Sequence, residues 1–147
     1  MSQSDVSSLA ESPSVDAYQF LLHHADAVLI DVRTRAEWTF VGAPVLPFRD
    51  DGPIFIEWQS WPEMKADPDF ARRLGAELER RGVGADAPLL FICRSGQRSR
   101  AAAQAMLAAG WRRCVNVSDG FEGPLDAQGH RGVVAGWRGA GLPWRQS

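Results

Sequence analysis

The chain is poor in cysteine, has a single lysine and lacks any long apolar run, and each shortage excludes something. Two cysteines, Cys93 and Cys114, are too few for a disulfide-stapled secreted scaffold, and neither sits in metal-ligand spacing. No stretch approaches the ~20 consecutive apolar residues of a membrane helix. Residues 1–11 are polar and serine-rich, without the basic flank and apolar run of a signal peptide. A formal net charge of −2 gives no electrostatic footprint for nucleic acid or an anionic membrane surface. Lys65 is the sole lysine, so the cationic charge is almost all arginine, which suits either base composition or bidentate anion contacts. The expectation is a cytoplasmic protein, in a compartment that keeps thiols reduced, with neither nucleic acid nor membrane as partner.

What is present suits one globular unit. At 147 residues and 45% hydrophobic content, the chain can build one core of moderate size. Residues 1–11 read as a disordered lead-in and residues 12–147 as one domain. Ser12-Pro13 predicts a helix start, with Ser12 as cap, and Ala17, Leu21 and His24 give that helix its stripe. Val28-Leu29-Ile30-Asp31-Val32 is short and largely β-branched, as in a strand buried on both faces. Pro44, Pro47, Pro53 and Pro62 preclude a long helix in the stretch that follows. A helical turn or two over residues 34–40, a short strand at Val45-Leu46 and an extended piece over residues 54–58 are expected there. A loop of that length in a compact domain is expected to wall a site.

Asp67-Pro68 predicts a second helix, with Phe70, Leu74 and Leu78 at four-residue spacing and a stop at Gly82. Leu89-Leu90-Phe91-Ile92 predicts a buried strand ending at Cys93, and residues 97–109 an alanine-rich helix closed by Gly110. Cys114-Val115-Asn116-Val117 predicts a third strand, and residues 136–140 a last helical turn. Helices alternating with short apolar strands predict an open, parallel α/β sheet with right-handed crossovers. Ligands in such sheets bind beyond the carboxyl ends of the strands, where Asp31 and Cys93 both stand.

A cysteine between a buried strand and a helix start has two physical advantages. Unpaired backbone N–H groups face it, and the helix dipole adds partial positive charge; both favour thiolate over thiol. In Cys93-Arg94-Ser95-Gly96-Gln97-Arg98-Ser99, the two arginines act in the same direction. Ser95 and Ser99 supply hydroxyl donors, and Gly96 lets the backbone curl into a cradle of N–H groups that suits an anion. The plainer reading is a buried cysteine closing a strand, and it leaves the polar loop unexplained.

The loop resembles the active-site loop of the rhodanese-like sulfurtransferases, single-domain members included. Asp31-Val32-Arg33-Thr34-Arg35-Ala36-Glu37-Trp38 is similar to that family's strand-end signature, and Asn116-Val117 through Gly120-Phe121-Glu122-Gly123 to its closing segment. The ending Gly136-Trp137-Arg138-Gly139-Ala140-Gly141-Leu142-Pro143-Trp144 is similar too. The resemblance implies an open parallel sheet of about five strands flanked by helices on both faces. It implies a sulfurtransferase in which Cys93 takes sulfane sulfur from a small anionic donor such as thiosulfate, held by Arg94 and Arg98. A thiol, cyanide or a sulfur-acceptor protein would then remove the sulfur from the Cys93 persulfide, with no metal and no organic cofactor. Gln97 completes the loop, and Asp31, Arg33 and Glu37 are implied to support it, Asp31 and Arg33 by hydrogen bonds. Where many members carry Gly-His-Ile-Pro-Gly-Ala, this chain has Phe40-Val41-Gly42-Ala43-Pro44-Val45, so donor preference does not carry over.

Two alternatives use the same loop. Cysteine phosphatases and arsenate reductases of related fold need arginine sixth after the cysteine, whereas here Arg98 is fifth and Ser99 sixth. A non-catalytic sulfur-carrier or partner-binding module is the other. Elsewhere, Arg33 and Glu37 stand four apart and suit a surface pair, while Cys114 suits a buried inert thiol. His23 and His24 end a helix, and His130 suits a solvated loop. Trp58, Trp61, Trp137 and Trp144 suit either a pocket rim or the core.

Overall fold

The computed structural model describes residues 9–60, 65–125, 127–131 and 135–146. Five parallel strands form the main sheet: β1 (Ala10–Ser12), β2 (Val28–Asp31), β4 (Ile54–Phe55), β7 (Pro88–Ile92) and β8 (Arg113–Val117). Their spatial order is β1-β8-β7-β2-β4. Two antiparallel pairs are added, β3 (Ala43–Pro44) with β9 (Trp144–Arg145) and β5 (Gln59–Ser60) with β6 (Lys65–Ala66). The helices are α1 (Ser14–His23), α2 (Arg35–Phe40), α3 (Phe70–Arg80) and α4 (Gln97–Ala108).

β2 and β7 are buried along their whole length, which is why they read as continuous apolar runs. Successive side chains alternate between two apolar layers. Val28, Ile30, Leu89, Phe91 and Cys93 face α3 and α4, meeting Phe70, Leu74, Leu78, Ala102, Ala103 and Met106. Leu29, Leu90, Ile92 and Val117 face the other way, onto Ala17 and Leu21 of α1, with Phe121 and Trp137. Leu89, Leu90, Phe91 and Ile92 are each at most 1% exposed, and such burial stabilises by about 1.5–3 kcal/mol per side chain. The expected open α/β architecture with helices on both faces is therefore the one observed.

Several local expectations need correction. Residues 1–8 of the expected lead-in lie outside the described residues, but Ala10 and Glu11 belong to β1 and pair in parallel with Val115 and Asn116. Ser12 ends that strand, its carbonyl accepting from Ser118 N–H, so the helix starts at Ser14 with Pro13 in the capping position. The second long helix starts at Phe70 rather than at Asp67, because Asp67 turns back to accept from Asp69 N–H. Ala43–Pro44, not Val45-Leu46, forms the short strand, paired with Trp144–Arg145. The expected turn near the end is present, with Ala140 N–H donating to Gly136 O. Trp137 is fully buried, so it belongs to the core. Trp61 lies outside the described residues.

Candidate active site

β7 hands the chain to Cys93, which is only 1% exposed. Gly96, at φ 110°, sits in the capping position of α4, and no side chain of its own caps the helix. The Cys93 sulfur occupies that place. Gly96 N–H donates to Sγ at 3.2 Å, and Ser99 Oγ lies 3.2 Å from the same sulfur. The N–H of the capping residue and a first-turn hydroxyl thus meet one thiol at the N-terminus of a twelve-residue helix, where the helix dipole is positive. A side chain at position 96 would bring Cβ within 2.5 Å of Ser118 O, in a backbone conformation that favours glycine.

The loop is gripped from behind by the segment after β8. Phe121 N–H donates to Cys93 O at 2.7 Å, and the N–H groups of Glu122 and Gly123 donate to Arg94 O at 3.0 and 3.2 Å. Gly120 lets this segment close on the loop, since a Cβ there would lie 2.4 Å from Arg94 O. Asn116 points to the same side of the sheet as Cys114, two residues before it, and reaches the site. Its Nδ2 donates to Gly96 O at 3.1 Å and to Glu11 Oε1 at 2.9 Å, while its Oδ1 meets the Ser99 hydroxyl.

The residues expected to support the loop lie near it, with contacts the sequence did not show. Asp31 and Arg33 are wholly buried and bound to each other, with Arg33 Nη2 2.8 Å from Asp31 Oδ2. Arg33 Nη2 also donates to Gly42 O at 2.8 Å, and the guanidinium lies 4.2 Å from the centroid of the Phe121 ring. Among the described residues their side chains make no hydrogen bond to the loop; the support passes through Phe121, whose backbone holds Cys93. Arg33 and Glu37 do not pair on the surface. Glu37 instead closes a capping box with Thr34 at the start of α2 and receives both terminal nitrogens of Arg98, at 2.7 and 2.8 Å.

Both terminal nitrogens of Arg98, a residue expected to bind an anion, are thus engaged by Glu37. Burial of Glu37 raises its pKa, but the Arg98 hydrogen bond, the Thr34 N–H and the charges of Arg98 and Arg33 outweigh it and hold the carboxyl down to about 2. Arg98 is consequently matched by a fixed carboxylate. Arg94 is exposed and forms no ion pair among the described residues, which leaves it as the loop's free cation.

A cavity of about 50 Å³ lies over Cys93, lined by Arg94, Ser95, Gln97 and Arg98. It adjoins a groove of about 670 Å³ bounded by Thr34, Glu37, Phe40, Val41, Gln59 and Glu122. The long loop after β2 therefore walls the site, as its length suggested. A second cleft of about 460 Å³ opens near the amino ends of β2 and β7, but it contains no nucleophile and the Arg49 guanidinium there is spent on backbone carbonyls. Cys114 is buried, and burial pushes its thiol up to about 12, in keeping with an inert role. His130 is exposed and is not among the groove residues. Among the described residues no group of His, Cys, Asp and Glu could hold a metal ion, and no helix is long and apolar enough to cross a membrane.

Sequence reasoning gave Asn116 and Glu11 no part in the site and did not foresee the grip of Phe121. A polar residue in an otherwise apolar strand, on the same parity as a neighbouring buried cysteine, was the available sign for Asn116. The pattern Thr34-x-x-Glu37 was the sign for the capping box.

The rhodanese-like domain model matches residues 14–126. The chain belongs to the rhodanese-like domain family. This rhodanese-like domain is 36% identical to an uncharacterized protein of Rickettsia conorii over 132 residues, 90% of this chain and 94% of that one. An uncharacterized protein of Rickettsia prowazekii is 33% identical over the same share of each chain. Among solved structures, Rv0390 of M. tuberculosis superimposes with a TM-score of 0.81 at 41% identity, covering 95% of this chain and all of the other. The polysulfide-sulfur transferase homodimer of Wolinella succinogenes gives a TM-score of 0.58 at 21% identity over 99% of this chain and 84% of its own, a likeness of fold. The family match begins at residue 14, so β1 and Glu11 lie before the matched region.

Proposed function

We propose that the protein is a sulfurtransferase that carries sulfane sulfur as a persulfide on Cys93. The observation that carries this reading is the convergence of Gly96 N–H and the Ser99 hydroxyl on Cys93 Sγ at the α4 N-terminus, beneath a cavity of about 50 Å³. A single water needs roughly 10–15 Å³ of such space, so a bound outer sulfur has room there. The naming of one protein of this fold as a polysulfide-sulfur transferase supports the same chemistry.

In the first step the Cys93 thiolate attacks the outer sulfur of a donor such as thiosulfate. A bond forms between Sγ and that sulfur as the donor's S–S bond breaks, and sulfite leaves with the electron pair. In the second step a thiophile, whether cyanide, a thiol or a sulfur-acceptor protein, attacks the outer sulfur and Cys93 departs as thiolate. Arg94, uncommitted at the groove, attracts the anionic donor, and Arg98 with Glu37 holds the cavity wall rather than the substrate's charge. Backbone N–H groups of the loop stabilise the negative outer sulfur as donors do an oxyanion. The chemistry requires neither metal nor organic cofactor, and the partners are a small anionic donor and a thiophilic acceptor in a reducing cytoplasm.

The test is to incubate the protein with thiosulfate, measure its intact mass, then add cyanide and follow thiocyanate. One added sulfur atom on wild type, with neither mass gain nor thiocyanate from Cys93→Ala, is the expected result. Wild type that gains no sulfur from thiosulfate or polysulfide would overturn the reading.

A further inference from the structure

The Ser99 hydroxyl has one proton and two claimants. On one side is Cys93 Sγ at 3.2 Å; on the other is Asn116 Oδ1 in a close hydrogen-bond contact. The orientation of the Asn116 amide is fixed, because its other two neighbours, Gly96 O and Glu11 Oε1, are both acceptors and demand the NH₂ group. Oδ1 therefore faces Ser99 and can only accept. Ser99 and Asn116 are both wholly buried, so water does not relieve the competition.

We infer that Asn116 is a positioning residue that biases Cys93 toward its sulfur-loaded state by competing for the Ser99 proton. This inference rests on the persulfide chemistry proposed above. In the thiolate that attacks the donor the charge sits on Sγ, so Ser99 turns its proton to the sulfur. Asn116 Oδ1 then confronts the Ser99 lone pairs with no proton between them, a buried acceptor left unpaired. When the outer sulfur is transferred, the charge moves to that sulfur and Sγ becomes a neutral divalent sulfur, singly bonded to Cβ and to the outer sulfur, that accepts weakly. Ser99 then returns its proton to Asn116. No proton enters or leaves: thiolate plus thiosulfate gives persulfide anion plus sulfite, and only the Ser99 O–H rotates. The Asn116 bond is made in the loaded state and broken in the empty thiolate, so it counts on one side of the transfer equilibrium.

The test equilibrates the enzyme with fixed ratios of thiosulfate and sulfite and reads the loaded and empty fractions by intact mass. Asn116→Leu removes the acceptor at similar volume, and Asn116→Ser, too short to reach Ser99, serves if the leucine variant does not fold. In the wild-type background either is expected to lower the loaded-to-empty ratio about fivefold, the weight of one ordinary hydrogen bond. In a Ser99→Ala background, where no proton is contested, the same substitution is expected to leave the ratio unchanged. An equal shift in both backgrounds, or none in either, overturns the inference while leaving sulfur transfer standing. A wild-type enzyme that takes up no sulfur overturns both.

Discussion

Glu37 is the side chain on which one wall of the cavity depends. Its carboxylate is shared between the Thr34 cap and the Arg98 fork, joining α2 to the loop across 61 residues of sequence. The ordinary value of 4.5 falls to about 2 in the folded protein, despite the opposing effect of burial. A lowered carboxyl pKa means that the linkage contributes fully above pH 4.5 and is lost as pH falls through about 2. Glu37→Gln should therefore cost about 2 kcal/mol at pH 7, the scale of a hydrogen bond to a charged group. Urea melts of the two proteins should converge as the pH approaches 2. A cost that does not change with pH would show that packing, and not the carboxylate charge, is what Glu37 provides. Arg33 and Asp31 carry a different load: as a fully buried pair over Phe121 they have no solvent to fall back on, so neither can be neutralised alone without leaving a buried charge.

At the scale of elements, the loop is a sandwich between the start of α4 and the turn after β8, with glycine on each side. Gly120, at φ 67°, has Arg94 O, Arg94 C and Ser95 N where a Cβ would stand. Gly120→Ala should push the loop outward and weaken the Phe121-to-Cys93 hydrogen bond, lowering sulfur uptake at least tenfold with only a modest loss of helicity by circular dichroism. Uptake equal to wild type would show that the loop tolerates the displacement. The elements themselves differ in how plainly the sequence displays them. β2, β7, α3 and α4 are legible because burial on both faces, or on one helical stripe, writes its own periodicity. β1 is not, because Ala10, Glu11 and Ser12 form a short, largely exposed edge without an apolar pattern, paired with β8 alone in the sheet. β3 and β9 are two residues each and meet across about a hundred positions, so nothing local announces them. Cys93 and its loop were visible as a motif. The Glu37 partner and the Asn116 contact were not, since both depend on how distant elements are brought together.

The whole molecule is drawn together behind the site by Asp119. One carboxylate oxygen takes the backbone N–H and hydroxyl of Ser14, at 2.8 and 2.7 Å, and the other takes Gly136 N–H at 3.0 Å. The start of α1 and the late chain thus share a single acceptor one residue before Gly120. Ser14 is fully buried, so its donors have no alternative in water. Asp119→Ala is expected to lower global stability by about 2–4 kcal/mol in equilibrium urea unfolding. A loss below about 0.5 kcal/mol would show that the ends are held by the Trp137 core alone.

The alternation of the sheet has a genetic consequence. Cys93 and Asn116 reach Ser99 because each stands an even number of residues from neighbours that face α4. Losing or gaining one codon within residues 89–92 would barely alter the hydrophobic content. It would nevertheless rotate the thiol through the sheet, toward Phe121 and Trp137. Substitutions along β7 are graded in their effect, whereas a change of length there is all or none. Lengthening belongs instead in the exposed turn at residues 84–86 before β7, where the count can change without turning a side chain to the wrong face.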